Sequence, residues 1–199
     1  SIGDYMQNLI VRTALLGDVP RMTEIYTPYV EADTASFETV APDTGEMARR
    51  LQKTTEVFPW LVCEQAGQVI GYAYASRLGE RAGYDWSAAA SVYVAGSSRR
   101  TGAGKALYNA LFALLTAQGY RALYGVLASP NPASERFHER MGFVRQGLLQ
   151  HAGYKFGRPM GVAYYAKDLL PVMENPPRPK PITAFSSADI AKIIEYGLL

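Results

Sequence analysis

The residues whose types and spacing best suit chemistry stand mid-chain, in Arg99-Arg100-Thr101-Gly102-Ala103-Gly104-Lys105. Gly102 and Gly104 allow the backbone close to a ligand, and Arg99, Arg100 and Lys105 surround them with positive charge. An apolar run precedes the segment and a long apolar-striped stretch follows it, so it sits where a strand hands over to a helix. A helix N-terminus exposes unpaired N–H groups and carries partial positive charge, which suits an anion, above all a pyrophosphate. Two familiar phosphate loops do not fit. A Walker loop needs Ser or Thr after its lysine, and Ala106 follows Lys105. A dinucleotide fingerprint needs a glycine where Leu107 stands. A glycine turn with solvated arginines is the plainer alternative.

A second constellation follows in Asn131-Pro132-Ala133-Ser134, His138 and Gly142-Phe143. Asn131 at a helix start is either a cap or a hydrogen-bonding partner for an amide-bearing ligand arm. Cys63 is the single cysteine, so an intrachain disulfide is excluded, and in Trp60-Leu61-Val62-Cys63 it reads as a buried strand residue. His138, His151 and Cys63 have no metal-ligand spacing, so no metal is expected.

These residues must be positioned by alternating strands and helices. Leu9 to Arg12 reads as a strand, and Asp18 as the cap of a helix with Met22, Ile25, Tyr26, Tyr29 and Val30 on one face; Pro28 is expected to bend or end it. A helix is expected from Thr44 to Thr54, then a hairpin of Trp60–Glu64 and Val69–Ala75, a loop from Leu78 to Tyr84, and a strand from Ala88 to Val94. Gly104 to Gln118 is the clearest helix, with Leu107, Ala110, Leu111, Leu114 and Leu115 in a stripe and Gly119 as its stop. A strand over Ala122–Leu127, a helix over Ala133–Met141 closed by Gly142, and strands over Phe143–Gln150 and Val162–Leu169 complete an α/β unit with a mixed sheet and helices on both faces. After Leu169, Pro171, Pro176, Pro177, Pro179 and Pro181 mark an extended tail, and Ser187 is expected to cap a last helix carrying Ile190, Ile193 and Ile194. The division is a domain over 1–170 and a tail over 171–199 that is separable from it.

The 199 residues suffice for one domain with a sizeable core; 48% are hydrophobic and 19% charged, as in globular proteins. A net charge of +2 argues against a nucleic-acid surface. No apolar stretch reaches membrane-spanning length and no signal-peptide pattern opens the sequence, so the expected compartment is the cytoplasm, with no membrane partner.

Taken together, Arg99, Gly102 and Gly104, then Asn131, Ser134, Gly142 and Phe143, resemble the motifs of the GNAT superfamily of N-acetyltransferases. Ser36-Phe37-Glu38, Phe58-Pro59-Trp60-Leu61-Val62, Gly71-Tyr72-Ala73, Tyr84-Asp85-Trp86, Ser91-Val92-Tyr93-Val94, Phe137-His138-Glu139 and Gly153-Tyr154-Lys155-Phe156-Gly157 look like its phosphinothricin and methionine-sulfoximine acetyltransferase subfamily. The resemblance covers Ile10 to Leu169 and implies a mostly antiparallel central sheet with splayed central strands. It implies acetyl-coenzyme A as cosubstrate, a small-molecule amine as acceptor, and a second copy of the chain as a partner. Val92, Tyr93 and Val94 would pair with the pantetheine arm; Arg99, Arg100, Thr101, Gly102, Ala103, Gly104 and Lys105 would cradle the pyrophosphate; Asn131 and Ser134 would meet the cofactor arm. Phe37, Glu38, Arg81 and Tyr84 would lie on the substrate side, with Arg81 suited to a carboxylate or phosphinate oxyanion.

The match breaks in two places. Ala89 stands where the subfamily carries a glutamate base, and Pro159-Met160-Gly161 replaces an aspartate-bearing segment. His138 takes the place of the superfamily's tyrosine acid and is either a thiolate-protonating imidazole or a hydrogen-bonded structural one. Asp85 and Glu38 are substitute bases. The implied readings are an active N-acetyltransferase with an amino-acid-like acceptor, or a catalytically weak protein that senses acetyl-coenzyme A.

Overall fold

A computed structural model describes residues 8–199; the first seven residues of the expected domain lie outside it. Along the chain run β1 (Leu9–Thr13), α1 (Val19–Glu31), α2 (Thr44–Thr54), β2 (Trp60–Gln65), β3 (Gln68–Arg77), β4 (Ser87–Val94), α3 (Ala103–Gln118), β5 (Ala122–Ser129), α4 (Pro132–Arg140), β6 (Val144–Lys155), β7 (Arg158–Asp168) and α5 (Ser187–Gly197). The strands form one sheet in the order β1-β2-β3-β4-β5-β7-β6. Neighbours are antiparallel except β4 and β5, which run parallel and pair only over Ser87↔Ala122, Ala88↔Leu123 and Ala89↔Tyr124. Beyond Ala89 these central strands separate, as the resemblance implied.

Alternation along the strands supplies each face of the sheet with its own core. On one face α1 and α2 bring Met22, Ile25, Tyr26, Met47 and Leu51 onto Trp60, Val62 and Tyr72. On the other, Leu107, Leu111, Leu114 and Leu115 of α3 bury against Leu61, Ala73, Ala88, Leu123 and Tyr165. Each such leucine contributes roughly 1.5–3 kcal/mol of transfer free energy. Gly71 of β3 permits the close approach of α3, since a Cβ there would stand 3.1 Å from Tyr93 O and 3.3 Å from Leu107 Cδ1. Gly119, at φ +99, ends α3 as expected.

Several expectations need correction. Pro28 lies inside α1 without ending it: the helix continues to Glu31, and Ala32 N–H donates to Pro28 O at 3.0 Å. The buried apolar face of Ile25, Tyr26 and Val30 outweighs the one missing donor. Asp18 does not cap α1 with its side chain; its carboxylate accepts from Arg12 and from Leu15 N–H, and the guanidinium holds its pKa below the usual range. Ser186, not Ser187, caps α5, accepting from Asp189 N–H at 3.1 Å. β6 and β7 are longer than the sequence implied, because most of β6 is exposed and leaves no burial pattern to read.

The tail is extended and packs against the core. Lys180 N–H donates to Gln118 O and Ile182 N–H to Val57 O, and Gln118 Nε2 donates to both Val57 O and Lys180 O. Trp86 Nε1 donates to Pro177 O. Ile182 and Ile194 are buried in the α3 core, with Ile190 and Ile193 packed on it. A Cβ on Gly197 would stand 2.8 Å from Asn109 O, so α5 lies flat against the back of α3. The isoleucine stripe thus docks on the helix that opens with the glycine loop.

Candidate functional site

Where β4 and β5 separate, a cleft of about 1160 Å³ opens. Its walls include Val92, Tyr93 and Val94, the whole segment Arg99 to Lys105, and Asn131, Ser134 and His138. Residues picked out at distant points of the sequence therefore share one cavity.

The loop owes its shape to two residues with positive φ, Arg100 at 67° and Gly102 at 88°. Such turns point successive N–H groups inward as an anion-binding nest. Thr101 Oγ1 steadies it by donating to Ser98 O at 2.7 Å and accepting from Ala103 N–H at 3.3 Å. Ala106 N–H is paired back to Gly102 O. The N–H groups of Gly104 and Lys105 remain for a ligand, reinforced by the α3 dipole. Arg99 is held over the Tyr29 ring at 5.8 Å, and Tyr29 OH donates to Val94 O at 2.5 Å, so α1 braces both the loop and β4. Asn131 is in part a cap, its Oδ1 accepting from Ser134 N–H at 3.3 Å, while it also lines the cleft. The donors, charge and open strand edge fit a long ligand with a phosphorylated end.

His138 is nearly enclosed. Nδ1 lies 2.8 Å from Ser134 O, an acceptor only, so Nδ1 carries the proton and Nε2 accepts from Tyr108 OH at 2.9 Å. Burial lowers its pKa, so the ring is neutral at pH 7. Of the two roles expected for His138, the geometry shows the hydrogen-bonded one: both nitrogens are engaged, by Tyr108 OH and by Ser134 O. Tyr108 and Tyr29 line the cleft but read as helix-core residues in sequence; only their tertiary placement distinguishes them.

On the sheet face opposite α3, Ala89 neighbours Ser76 and Tyr124, and Tyr74 is paired with Ser91. Phe37 projects toward this region, its ring 3.4 Å from where a Gly153 Cβ would lie. Lys155 ties the β6–β7 hairpin to the same loop, donating to Tyr29 O at 3.2 Å and Ser36 O at 2.6 Å. Glu38 is gripped by Arg50 and accepts from Tyr26 OH; the guanidinium holds its carboxyl below the usual range. Asp85 is paired with Arg77 and Arg178. Neither expected substitute base is free.

Arg81 and Tyr84 do not reach the cleft. They sit on the β3–β4 connection, where Tyr84 packs over Gly79 and lines a separate hollow with Phe58, Tyr120 and Arg178. The connection joins the ends of β3 and β4 away from Val94, which sequence spacing alone could not reveal. Among the described residues no group of His, Cys, Asp and Glu could hold a metal ion, and no helix is long and apolar enough to cross a membrane.

Comparison with known proteins agrees with this geometry. Residues 11–162 match the acetyltransferase (GNAT) domain family. The chain is 36% identical to a phosphinothricin N-acetyltransferase of Streptomyces viridochromogenes, over 87% of this chain and 94% of that one. It is 31% identical to an L-methionine sulfoximine/L-methionine sulfone acetyltransferase of Pseudomonas aeruginosa, over 83% and 98%. The crystal structure of a phosphinothricin acetyltransferase from Sinorhizobium meliloti in complex with acetyl-coenzyme A superposes with a TM-score of 0.79 at 33% identity, covering 85% of this chain and 95% of that one. The α/β fold with its seven-stranded mixed sheet matches that of these neighbours, and the chain belongs to the GNAT acetyltransferase family, as an N-acetyltransferase.

Proposed function

We propose that the protein moves the acetyl group of acetyl-coenzyme A to the amine of a small amino-acid-like acceptor, of the phosphinothricin or methionine sulfoximine/sulfone type, in the cytoplasm and as a homodimer. The observation that carries this is the parting of β4 from β5 opposite the α3 N-terminus, which leaves strand backbone open beside a cationic nest. Arg99, Arg100 and Lys105, with the N–H groups of Gly104 and Lys105, hold the pyrophosphate. The β4 backbone over Val92–Val94 takes the pantetheine arm, with Asn131 and Ser134 on the opposite wall. The bound cosubstrate supplies a thioester carbonyl, and the backbone near Val94 faces its oxygen as charge develops there. Positioning then does most of the work. The leaving thiolate takes up the proton that the attacking amine sheds, while the buried Tyr108 hydroxyl donates to neutral His138 and lines the cleft. Val144, Leu148, Leu149, Tyr154 and Phe156 along β6 and its turn are exposed apolar residues that favour a self-association edge.

Ala89 favours a second reading, an acetyl-coenzyme A-binding protein with weak or no turnover, because a protonated amine finds no carboxylate there. Free-thiol release with acetyl-coenzyme A and a panel of amines separates the two. Turnover of any amine supports the first reading; binding without turnover supports the second.

A further inference from the structure

We propose that Asp33 is a catalytic residue whose carboxylate takes the proton that the acceptor's ammonium must lose before it attacks the thioester. The inference rests on the acetyl-transfer reading above, keeps its free amino-acid acceptor, and supplies the base that Ala89 does not. The ammonium gives one proton to Asp33, directly or through one water, and the freed lone pair forms the C–N bond as the C–S bond breaks. The proton that nitrogen sheds next goes to the departing thiolate, and Asp33 returns its own to solvent.

The first ground is the set of groups in the cleft. Among the described residues that line it, Asp33 is the only carboxylate. Glu38 and Asp85, the substitutes expected from the sequence, are engaged, Glu38 by Arg50 and Tyr26 and Asp85 by Arg77 and Arg178. His138 has both nitrogens hydrogen-bonded. Asp33 is held in place and still has an oxygen to offer. Its Oδ1 accepts from Ala35 N–H at 2.9 Å, whereas Oδ2 makes no hydrogen bond or ion pair among the described residues.

The second ground is placement. Ala89, Ser91 and Tyr93 alternate onto one face of β4. The end of α1 rests on that face: the Tyr29 and Tyr93 rings stand 5.2 Å apart, and Tyr29 OH donates to Val94 O. Asp33 follows α1 directly and lines the cleft together with Ser91 and Tyr93. A carboxylate at position 89 would meet the acceptor from the paired end of β4, and Asp33 meets it from the open end. The loop is also fixed before any substrate arrives. Lys155 Nζ donates to Tyr29 O at 3.2 Å and to Ser36 O at 2.6 Å, which staples the chain on both sides of Asp33. The charged groups beside this loop are Lys155 of β6, Arg99 over the Tyr29 ring, and Glu38, which Arg50 neutralises. Burial lowers the Lys155 pKa, and the charges of Asp33 and Glu38 oppose that shift.

The test measures thiol release with L-methionine sulfone and with phosphinothricin at saturating acetyl-coenzyme A, from about pH 6 to about pH 9.5. The wild type is compared with Asp33→Asn, Asp33→Glu and the double variant Asp33→Asn/Ala89→Glu. Asparagine keeps the Oδ1 that Ala35 N–H needs, so the loop is preserved while the base is lost. Asp33→Asn should lower kcat/KM at least about tenfold near pH 7, and the deficit should close at high pH, where the amine is already neutral. Asp33→Glu should keep the shape of the wild-type profile at a reduced rate. The double variant should recover activity at neutral pH, because a carboxylate faces the amine again. Affinity for acetyl-coenzyme A should stay within about twofold throughout. The proposal is overturned if Asp33→Asn equals the wild type near pH 7. It is equally overturned if Asp33→Asn loses the same factor at every pH, the mark of a structural role, or if Asp33→Glu shares the altered profile of Asp33→Asn. A fall in cofactor affinity as large as the fall in rate also overturns it, because Asp33 would then serve the cofactor. If the wild type binds acetyl-coenzyme A in calorimetry but no amine releases thiol, the transferase reading itself fails, a result distinct from an active wild type matched by Asp33→Asn.

Discussion

The two sides of the β4–β5 cleft share a sheet and are built by different means. On the α3 side, a glycine nest, two N–H groups and three cations converge within one continuous segment, Arg99 to Lys105. On the other side, side chains arrive from the α1–α2 loop, β3, β4, β5 and the β6–β7 hairpin, and charges bordering it are engaged, Glu38 by Arg50 and Lys155 by two backbone carbonyls. A ligand held by local backbone tolerates drift elsewhere in the chain. A surface assembled from scattered side chains changes when any one of them does, and we propose that Ala89 is such a change. The contrast predicts that single substitutions alter turnover on one side and affinity on the other.

The sharpest test restores the missing charge. Ala89→Glu should raise kcat at neutral pH for a free amino-acid acceptor by about 10²–10⁴-fold, roughly 3–5 kcal/mol of barrier, with little change in cofactor affinity. The gain should shrink at high pH, where the amine is already neutral. A folded, cofactor-binding variant that gains nothing at any pH would mean that another group already takes the proton.

Next in size is the support behind the cofactor side. Ile194→Ala removes a side chain buried against α3 and should cost about 2–5 kcal/mol in denaturant unfolding. Truncation after Leu170 should lower the melting temperature further and weaken cofactor binding, since α5 backs the helix that opens with the nest. A truncated chain as stable as the full one would show that this docking contributes nothing.

Gly104→Asp should weaken acetyl-coenzyme A binding about tenfold or more, about 1.4 kcal/mol, by setting a carboxylate against the phosphates. Its Cβ would also stand 3.3 Å from the Phe137 ring, so calorimetry should be paired with an unfolding curve. Unchanged affinity would remove this loop from the site.

The smallest effect concerns His138. Burial keeps its folded pKa below 6.5, whereas the unfolded chain titrates near that value. The unfolded state therefore binds more protons as pH falls, so stability is full above about 6.5 and declines as pH drops through the folded value. His138→Gln should flatten this part of the stability–pH curve. An unchanged slope would show that carboxylates account for it.

The glycine loop and its helix were legible because both signals are local: residue type at fixed spacing sets the turn, and an uninterrupted leucine stripe sets α3. The family resemblance likewise needed only motifs in order. Asp18, Pro28 and Ser187 were misjudged where a side-chain partner, the packing of a whole helix face or the adjacent residue decided the outcome: Arg12 drew the carboxylate, packing carried the helix past the proline, and Ser186 took the cap.

What the sequence by itself determined is the succession of elements and the anion nest at the start of α3. Those rest on φ preferences, hydrophobic periodicity and side-chain chemistry, all properties of neighbouring residues. Only the tertiary structure decided that His138 is a neutral partner of Tyr108, that Glu38 and Asp85 are spent in ion pairs, that Arg81 and Tyr84 lie away from the cleft, and that the proline-rich tail is bound to the core. Each of those depends on which groups meet after the chain has folded, and a pKa, a free donor or a buried face has no value until that meeting is fixed.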